Sequence, residues 1–403
     1  LMMEFFSLKK YRIFILTIAF SYIAKNLYTI DINHLLWDLS VYVRAVNDYI
    51  QGNDPYRQDV SLLFIYHPYV LKTFTFFNYL FSIKIWLICF YVTASTMFIR
   101  EFFLFSRLHQ ETFSAENKNF IVLLLLAAVC FGDAGLVAVK TGNITIFLHF
   151  LLLATFFYAY REKSKKSVMI FALSIIICSI IKPYLLAYVL LLPFLRRWRT
   201  MLYLGLTIFL VCFFIWMSGA IAMSELYSSF MNALQHQTLG KGYLGYSIFG
   251  LIQGKTGKPL GLILHSVIML SYLFLVLLYS KKLGSHWNSS QFIPLVIIFI
   301  IFINPRMKVY DFPIAILFSF LYLWLFVKSP ARAVKVIVIS MLLSSVPTAY
   351  RVLVALGDFE SNPLLLNTHH LFHILGFILV LVGIMFSAFE QLKSVSSSKY
   401  NRL

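Results

Sequence analysis

The chain of 403 residues is 60% hydrophobic and 18% aromatic, with a mean hydropathy of +0.82 and a formal net charge of +18. Apolar runs of about 20 residues, long enough to cross a bilayer, recur from end to end. This composition excludes a soluble globular domain and predicts an all-α polytopic membrane protein with the lipid bilayer as its main partner.

The positive charge does not read as a nucleic-acid footprint. It lies in short segments between apolar runs: Lys9-Lys10, Arg161 to Lys166, Arg196-Arg197, Lys281-Lys282, Lys328 to Lys335 and Lys393 to Arg402. Alternate segments hold most of the acids, among them Asp31, Asp38, Asp48, Asp54 and Asp358. The positive-inside bias therefore places the basic loops in the cytoplasm and the acidic ones outside.

The first apolar run, about Arg12 to Ile30, has no small-residue cleavage site and is expected to stay as span one. It delivers the chain to the polar, turn-rich stretch Trp37 to Pro68. There Asp38, Tyr42, Ala45 and Tyr49 recur at helical spacing, which predicts one face of a helix ending near Gly52. Gly52 to Pro55 has turn composition. Asp38 is either the cap of that helix or a carboxylate placed to take a proton from a hydroxyl. Residues 62 to 81 are apolar but broken by Tyr66, His67, Pro68, Lys72 and Asn78, so they predict an interfacial or re-entrant piece.

Span two covers about Lys84 to Phe105, and span three about Phe120 to Val139, with Asp133 expected to pair with Lys140. Gly142-Asn143 is a tight outer turn before span four, which ends near Tyr160. Spans five and six form a hairpin broken at Ile181-Lys182-Pro183, each arm only about 14 residues and too short to cross unaided. Span seven, about Met201 to Ala220, leads to a long outer loop whose first half predicts an interfacial helix. Span eight ends at Lys281-Lys282, span nine at Asn304 to Asp311, and span ten at Lys328; spans eleven and twelve follow. The count is about twelve. The whole of 1–403 reads as one membrane domain, its core about 12–390, with 391–403 a cytoplasmic tail and both termini inside.

The outer ends of the spans gather Asp38, His67, Lys140, Asn143, Lys182, Arg306, Lys308, Tyr310 and Asp311. One boundary cation commonly snorkels to lipid phosphate, but four on outer turns run against the positive-inside bias. The planar fork of Arg306 suits phosphate, and Lys182 and Lys308 add point charges, which makes an anion site beside a base. His369-His370 with His373 lacks an accompanying carboxylate and reads as an interfacial helix start rather than a metal pair. The four cysteines lie inside apolar runs without metal spacing, so neither disulfide nor zinc is expected.

Asp38-x-x-Val41-Tyr42, Gly52-Asn53-Asp54-Pro55-Tyr56 and Tyr66-His67-Pro68 together resemble the opening signature of glycosyltransferase family 87, the C-type membrane enzymes that use polyprenyl-phosphate sugars. The resemblance continues through Gly142-Asn143 (often Gly-Gln in the family), Ile181-Lys182-Pro183, the basic run Arg196 to Arg199, and Asn304-Pro305-Arg306-x-Lys308-x-Tyr310-Asp311. It implies a GT-C-type helical bundle with interfacial helices in the outer loops and a cavity opening outward. It also implies transfer of a hexose, chiefly mannose, from a polyprenyl-phosphate donor to a glycolipid or glycan acceptor with inversion, in an inner (plasma) membrane. Asp38 would be the general base, and Lys182, Arg306 and Lys308 would hold the donor phosphate. Tyr42, Tyr56, Tyr66, His67, Asn143, Tyr310 and Asp311 would contact substrate. No DxD signature is present, so no metal and no other cofactor is expected. The rival reading is a transporter or flippase of a lipid-linked or small polar substrate, which would place polar groups near mid-membrane on broken helices.

Overall fold

The structure, a computed structural model, describes residues 36–57, 63–108, 141–239, 258–282, 290–304 and 311–325. Spans one, three, eleven and twelve, with Lys140, Asp133 and the His369 cluster, lie outside the described residues, as do Arg306, Lys308 and Tyr310. Every regular element among the described residues is helical. Among the described residues, four helices are long and apolar enough to cross a membrane: 83–108, 144–162, 198–222 and, within a longer helix, 260–278. The chain divides into two compact units, one built from 32–108 and 139–244, the other from 1–31, 109–138 and 245–403.

The first unit holds α1 (Trp37–Ile50), α2 (Pro68–Leu80), α3 (Ile83–Leu108), α4 (Ile144–Glu162), α5 (Lys165–Ile181), a 3-10 helix (Pro183–Phe194), α6 (Trp198–Ala222) and α7 (Ser224–Leu239). α1 stops where the glycine was expected to stop it. Gly52 takes φ 78°, its N–H donates to the Tyr49 carbonyl, and the Asn53 N–H reaches the Asp48 carbonyl at 2.8 Å, a Schellman closure. α2 begins with Pro68 in its first turn, where a missing N–H costs nothing, and His67 Nδ1 accepts from the Tyr69 N–H at 3.3 Å. α7 occupies the stretch where an interfacial helix was expected, and buries Phe230 and Ala233.

α4 is the axis of the unit. Its apolar residues run all round, and it is buried on every side, the pattern of a core helix rather than a surface one. α3 lies parallel to it through three stacked ring pairs: Tyr91 on Phe147 (3.9 Å), Phe98 on Phe150 (4.7 Å) and Phe105 on Phe157 (4.4 Å). Lipid offers no hydrophobic drive between helices, so this ring packing does much of the joining. Each pair contributes roughly 0.5–1.5 kcal/mol beyond area burial. The far ends of the two helices are clamped by Arg161, which reaches the buried Glu101 at 3.2 Å.

The hairpin after α4 takes an unexpected form. Its first arm, α5, has 17 residues, and its second is a 3-10 helix of 12 residues. At roughly 1.5 Å per α residue and 2.0 Å per 3-10 residue the arms span about 26 and 24 Å. The second arm therefore climbs back to the level at which α5 began, and Arg196 donates to the Lys163 carbonyl at 2.8 Å. An α-helix of the same residues would fall about 6 Å short. Leu185, Tyr188, Leu191 and Phe194 are buried at a spacing of three, the eclipsed face of a 3-10 helix. Pro183 and Pro193 bracket the segment and remove two α-helical donors.

The second unit describes α8 (Lys258–Lys282), a 3-10 turn (Ser290–Phe292), α9 (Ile293–Phe302) and α10 (Phe312–Leu325). α9 is wholly apolar and wholly buried, and packs against both α8 and α10. Tyr272 of α8 donates to the Leu295 carbonyl at 3.1 Å. Asp311 is buried immediately before α10.

Candidate functional site

Several of the residues named around Asp38 lie together at one end of the first unit. Leu36, not Asp38, is the N-cap of α1, and no side chain caps that helix. Asp38 sits in the first turn, where a carboxylate is favoured by the helix dipole. Its Oδ2 instead accepts from Asn143 Nδ2 at 2.6 Å, across 105 residues of sequence. The cap reading of Asp38 is thereby corrected.

Asn143 is held from its other side. It is the N-cap of α4, its Oδ1 accepting from the Thr145 N–H at 3.0 Å, which leaves the amide NH2 facing Asp38. The approach depends on Gly142, which takes φ 62°; a Cβ there would meet Leu36 Cδ2 at 2.8 Å and Leu36 Cα at 3.2 Å. Leu36 itself adopts the left-handed conformation (φ 60°, ψ 37°), unusual for a branched residue and worth roughly 1–2 kcal/mol of strain. Tyr91, in the middle of an apolar run, donates to the Gly142 carbonyl at 2.7 Å and fixes the same turn.

Beneath Asp38 lies a layer of buried phenols. Tyr42 and Tyr66 share a hydrogen bond of 2.9 Å, and the Ile144 N–H donates to Tyr42 Oη at 3.4 Å. Burial pushes both phenols well above their ordinary range, and the nearby Asp38 carboxylate pushes in the same direction, so both stay neutral. Lys182, the hinge residue between α5 and the 3-10 helix, places Nζ over the Tyr66 ring at 4.2 Å. Asp38, Tyr42, Tyr66, Asn143 and Lys182 are thus brought together by four separate elements.

Tyr56 and His67 lie behind this group. Tyr56 is buried, and its hydroxyl donates to the Tyr66 carbonyl at 2.8 Å, so it secures the backbone under the ring that carries Lys182. Burial lifts its phenol as well. His67 is 1% exposed and packs among Tyr69, Trp216, Tyr227 and Phe230. Desolvation lowers its imidazole to about 4, a shift only partly opposed by the Trp216 carbonyl.

A second polar cluster went unread in the sequence. His149, six residues along α4 from Asn143, is fully buried; its Nδ1 lies 2.8 Å from Tyr188 Oη and its Nε2 3.4 Å from Tyr184 Oη. A histidine inside an otherwise apolar span was the available signal.

No protein-family model matches the chain, and no curated protein matches it. The resemblance to glycosyltransferase family 87 rests on the residues themselves.

Proposed function

We propose that the protein is a membrane glycosyltransferase that takes a hexose, mannose in the first instance, from a polyprenyl-phosphate donor. The observation that carries the reading is the Asp38 carboxylate, oriented by Asn143 at 2.6 Å in the same cluster as the Lys182 ammonium. Asp38 accepts the proton of an acceptor hydroxyl, whose oxygen attacks the anomeric carbon. The bond to the phosphate oxygen breaks, the configuration inverts, and the polyprenyl phosphate leaves as an anion. Lys182 neutralises part of that charge, with Arg306 and Lys308 proposed to share the task. The acceptor is a glycolipid or glycan, and the chemistry faces the side of the membrane opposite the basic turns, the exterior of an inner (plasma) membrane.

The test uses purified protein in nanodiscs, radiolabelled polyprenyl-phosphate mannose and a membrane glycolipid extract. Wild type is expected to transfer label, and Asp38→Asn to lose at least about 100-fold in rate while unfolding at an unchanged temperature. Undiminished transfer by Asp38→Asn would remove Asp38 as the base.

One observation favours the transporter reading: His149 with Tyr184 and Tyr188 is a buried polar cluster beside a broken hairpin. Movement of intact donor across proteoliposomes, with no covalent transfer, would select that reading.

A further inference from the structure

The end of the first unit remote from Asp38 carries charges that the proposed chemistry does not use. Two tight turns lie side by side there, Lys163-Ser164 between α4 and α5 and Leu195 to Arg197 before α6, tied by the bond from Arg196 to the Lys163 carbonyl. They and the helix starts after them present six exposed cations: Lys163, Lys165, Lys166, Arg196, Arg197 and Arg199. The two neighbouring carboxylates, Glu101 and Glu162, are both engaged by Arg161, at 3.2 and 2.6 Å. Among the described residues none of the six cations has an ion-pair partner.

The placement of these charges is locally unfavourable. Lys165 and Lys166 open α5, and Arg199 lies in the first turn of α6, where the helix dipole is already positive. The positive-inside bias accounts for cations on this side of a membrane; it does not account for their convergence on one spot that repels them. A bound anion offsets these repulsions, because it attracts each of the cations and both helix starts.

The depth of the patch identifies the anion. Immediately beyond it the outward faces become apolar: Leu202, Leu206 and Phe209 on α6, and Met169 and Leu173 on α5, are all exposed. Trp198, 53% exposed, and Tyr203, 71% exposed, stand at the boundary as interfacial aromatics do. The cations therefore lie at headgroup level, above a surface suited to acyl chains.

We infer that the paired turns 163–166 and 196–199 form a binding site for the phosphate headgroup of an anionic phospholipid of the membrane. The site makes no use of Asp38 or Lys182 and stands whether or not the glycosyltransferase reading does.

The test is native mass spectrometry of the full-length protein in detergent, titrated with phosphatidylglycerol or phosphatidylcholine of matched chains. Wild type is expected to retain phosphatidylglycerol adducts at least tenfold more readily than phosphatidylcholine. Lys165→Gln/Lys166→Gln, whose side chains carry none of the turn's hydrogen bonds, is expected to weaken the phosphatidylglycerol adduct by about thirtyfold, near fivefold per cation. Arg196→Gln/Arg197→Gln should lose as much or more. Lys72→Gln/Lys84→Gln, exposed cations away from the patch, should change it less than twofold. Equal retention of the two lipids by wild type overturns the proposal, as does an unchanged adduct in the lysine pair variant. Displacement of the lipid by millimolar inorganic phosphate also overturns it, since it would make the site one for a free anion.

Discussion

At the scale of single residues, two side chains fix the geometry of the site, Asn143 with both of its polar ends occupied and His67 with one. Asn143 gives its carbonyl to the first turn of α4 and its NH2 to Asp38, so the carboxylate can neither rotate away nor cap its own helix. His67 is held at one nitrogen only: Nδ1 accepts from the Tyr69 N–H, while Nε2 is buried without a hydrogen-bond partner. That arrangement requires the neutral ring, because a protonated Nδ1 cannot accept. The imidazole accordingly titrates near 4 in the fold, below its ordinary value of 6.5, so the unfolded chain binds more protons between these values. His67 thus contributes stability that is fully present above about pH 6.5 and is lost as the pH falls toward 4, by at most about 3 kcal/mol. Thermal unfolding in detergent between pH 7 and 4.5 is expected to show this fall, and His67→Asn, which keeps a cap acceptor without titrating, to flatten it.

At the scale of elements, close approach decides which helices can meet. α6 passes the His67 ring at Gly219, where a Cβ would collide with the imidazole. Elsewhere on the same helix Gly205 has room, the nearest atom to an added Cβ being Leu192 Cδ1 at 3.7 Å. Alanine in a helix interior gains about 1 kcal/mol over glycine when nothing obstructs it. Gly205→Ala is therefore expected to raise the unfolding temperature slightly. Gly219→Ala is expected to lower stability by about 1–3 kcal/mol, through overpacking and displacement of the α2 cap. Thermal denaturation of the two variants side by side separates helix propensity from packing. The 3-10 arm obeys similar logic, since its extra rise lets twelve residues match the seventeen of α5.

For the molecule as a whole, the first unit is polarised. One end holds Asp38, Asp48, Asp54 and Glu225 together with Arg44, Arg57, Lys72, Lys84 and Lys182, so its charges nearly cancel. The other holds Arg107, Arg161, Lys163, Lys165, Lys166, Arg196, Arg197 and Arg199, against Glu101 and Glu162. The positive-inside bias predicts that the second end faces the cytoplasm. In sealed cells a membrane-impermeant maleimide is expected to label Asn53→Cys directly, and Thr200→Cys only after permeabilisation. The reverse pattern would place the Asp38 cluster inside and end the extracytoplasmic proposal.

The sequence by itself determined the class of protein and many of the local boundaries. Hydropathy marks the crossing helices, Gly52 ends α1, His67-Pro68 begins α2, and Lys182-Pro183 breaks the hairpin, because each of these is set by neighbours a few residues away. Most of the residues that meet at the site were also legible as types: a carboxylate, an amide, a lysine and two tyrosines outside the apolar runs. What only the tertiary structure decided is who meets whom. Asn143 rather than the helix end as partner of Asp38, Tyr66 beneath Lys182, the ring ladder along α4, and His149 between two tyrosines all join residues dozens of positions apart. The 3-10 arm was hidden for a related reason. Pro183 to Phe194 is so uniformly apolar that no period shows in the sequence, and the buried spacing of three emerges only once α4, α5 and α6 surround it.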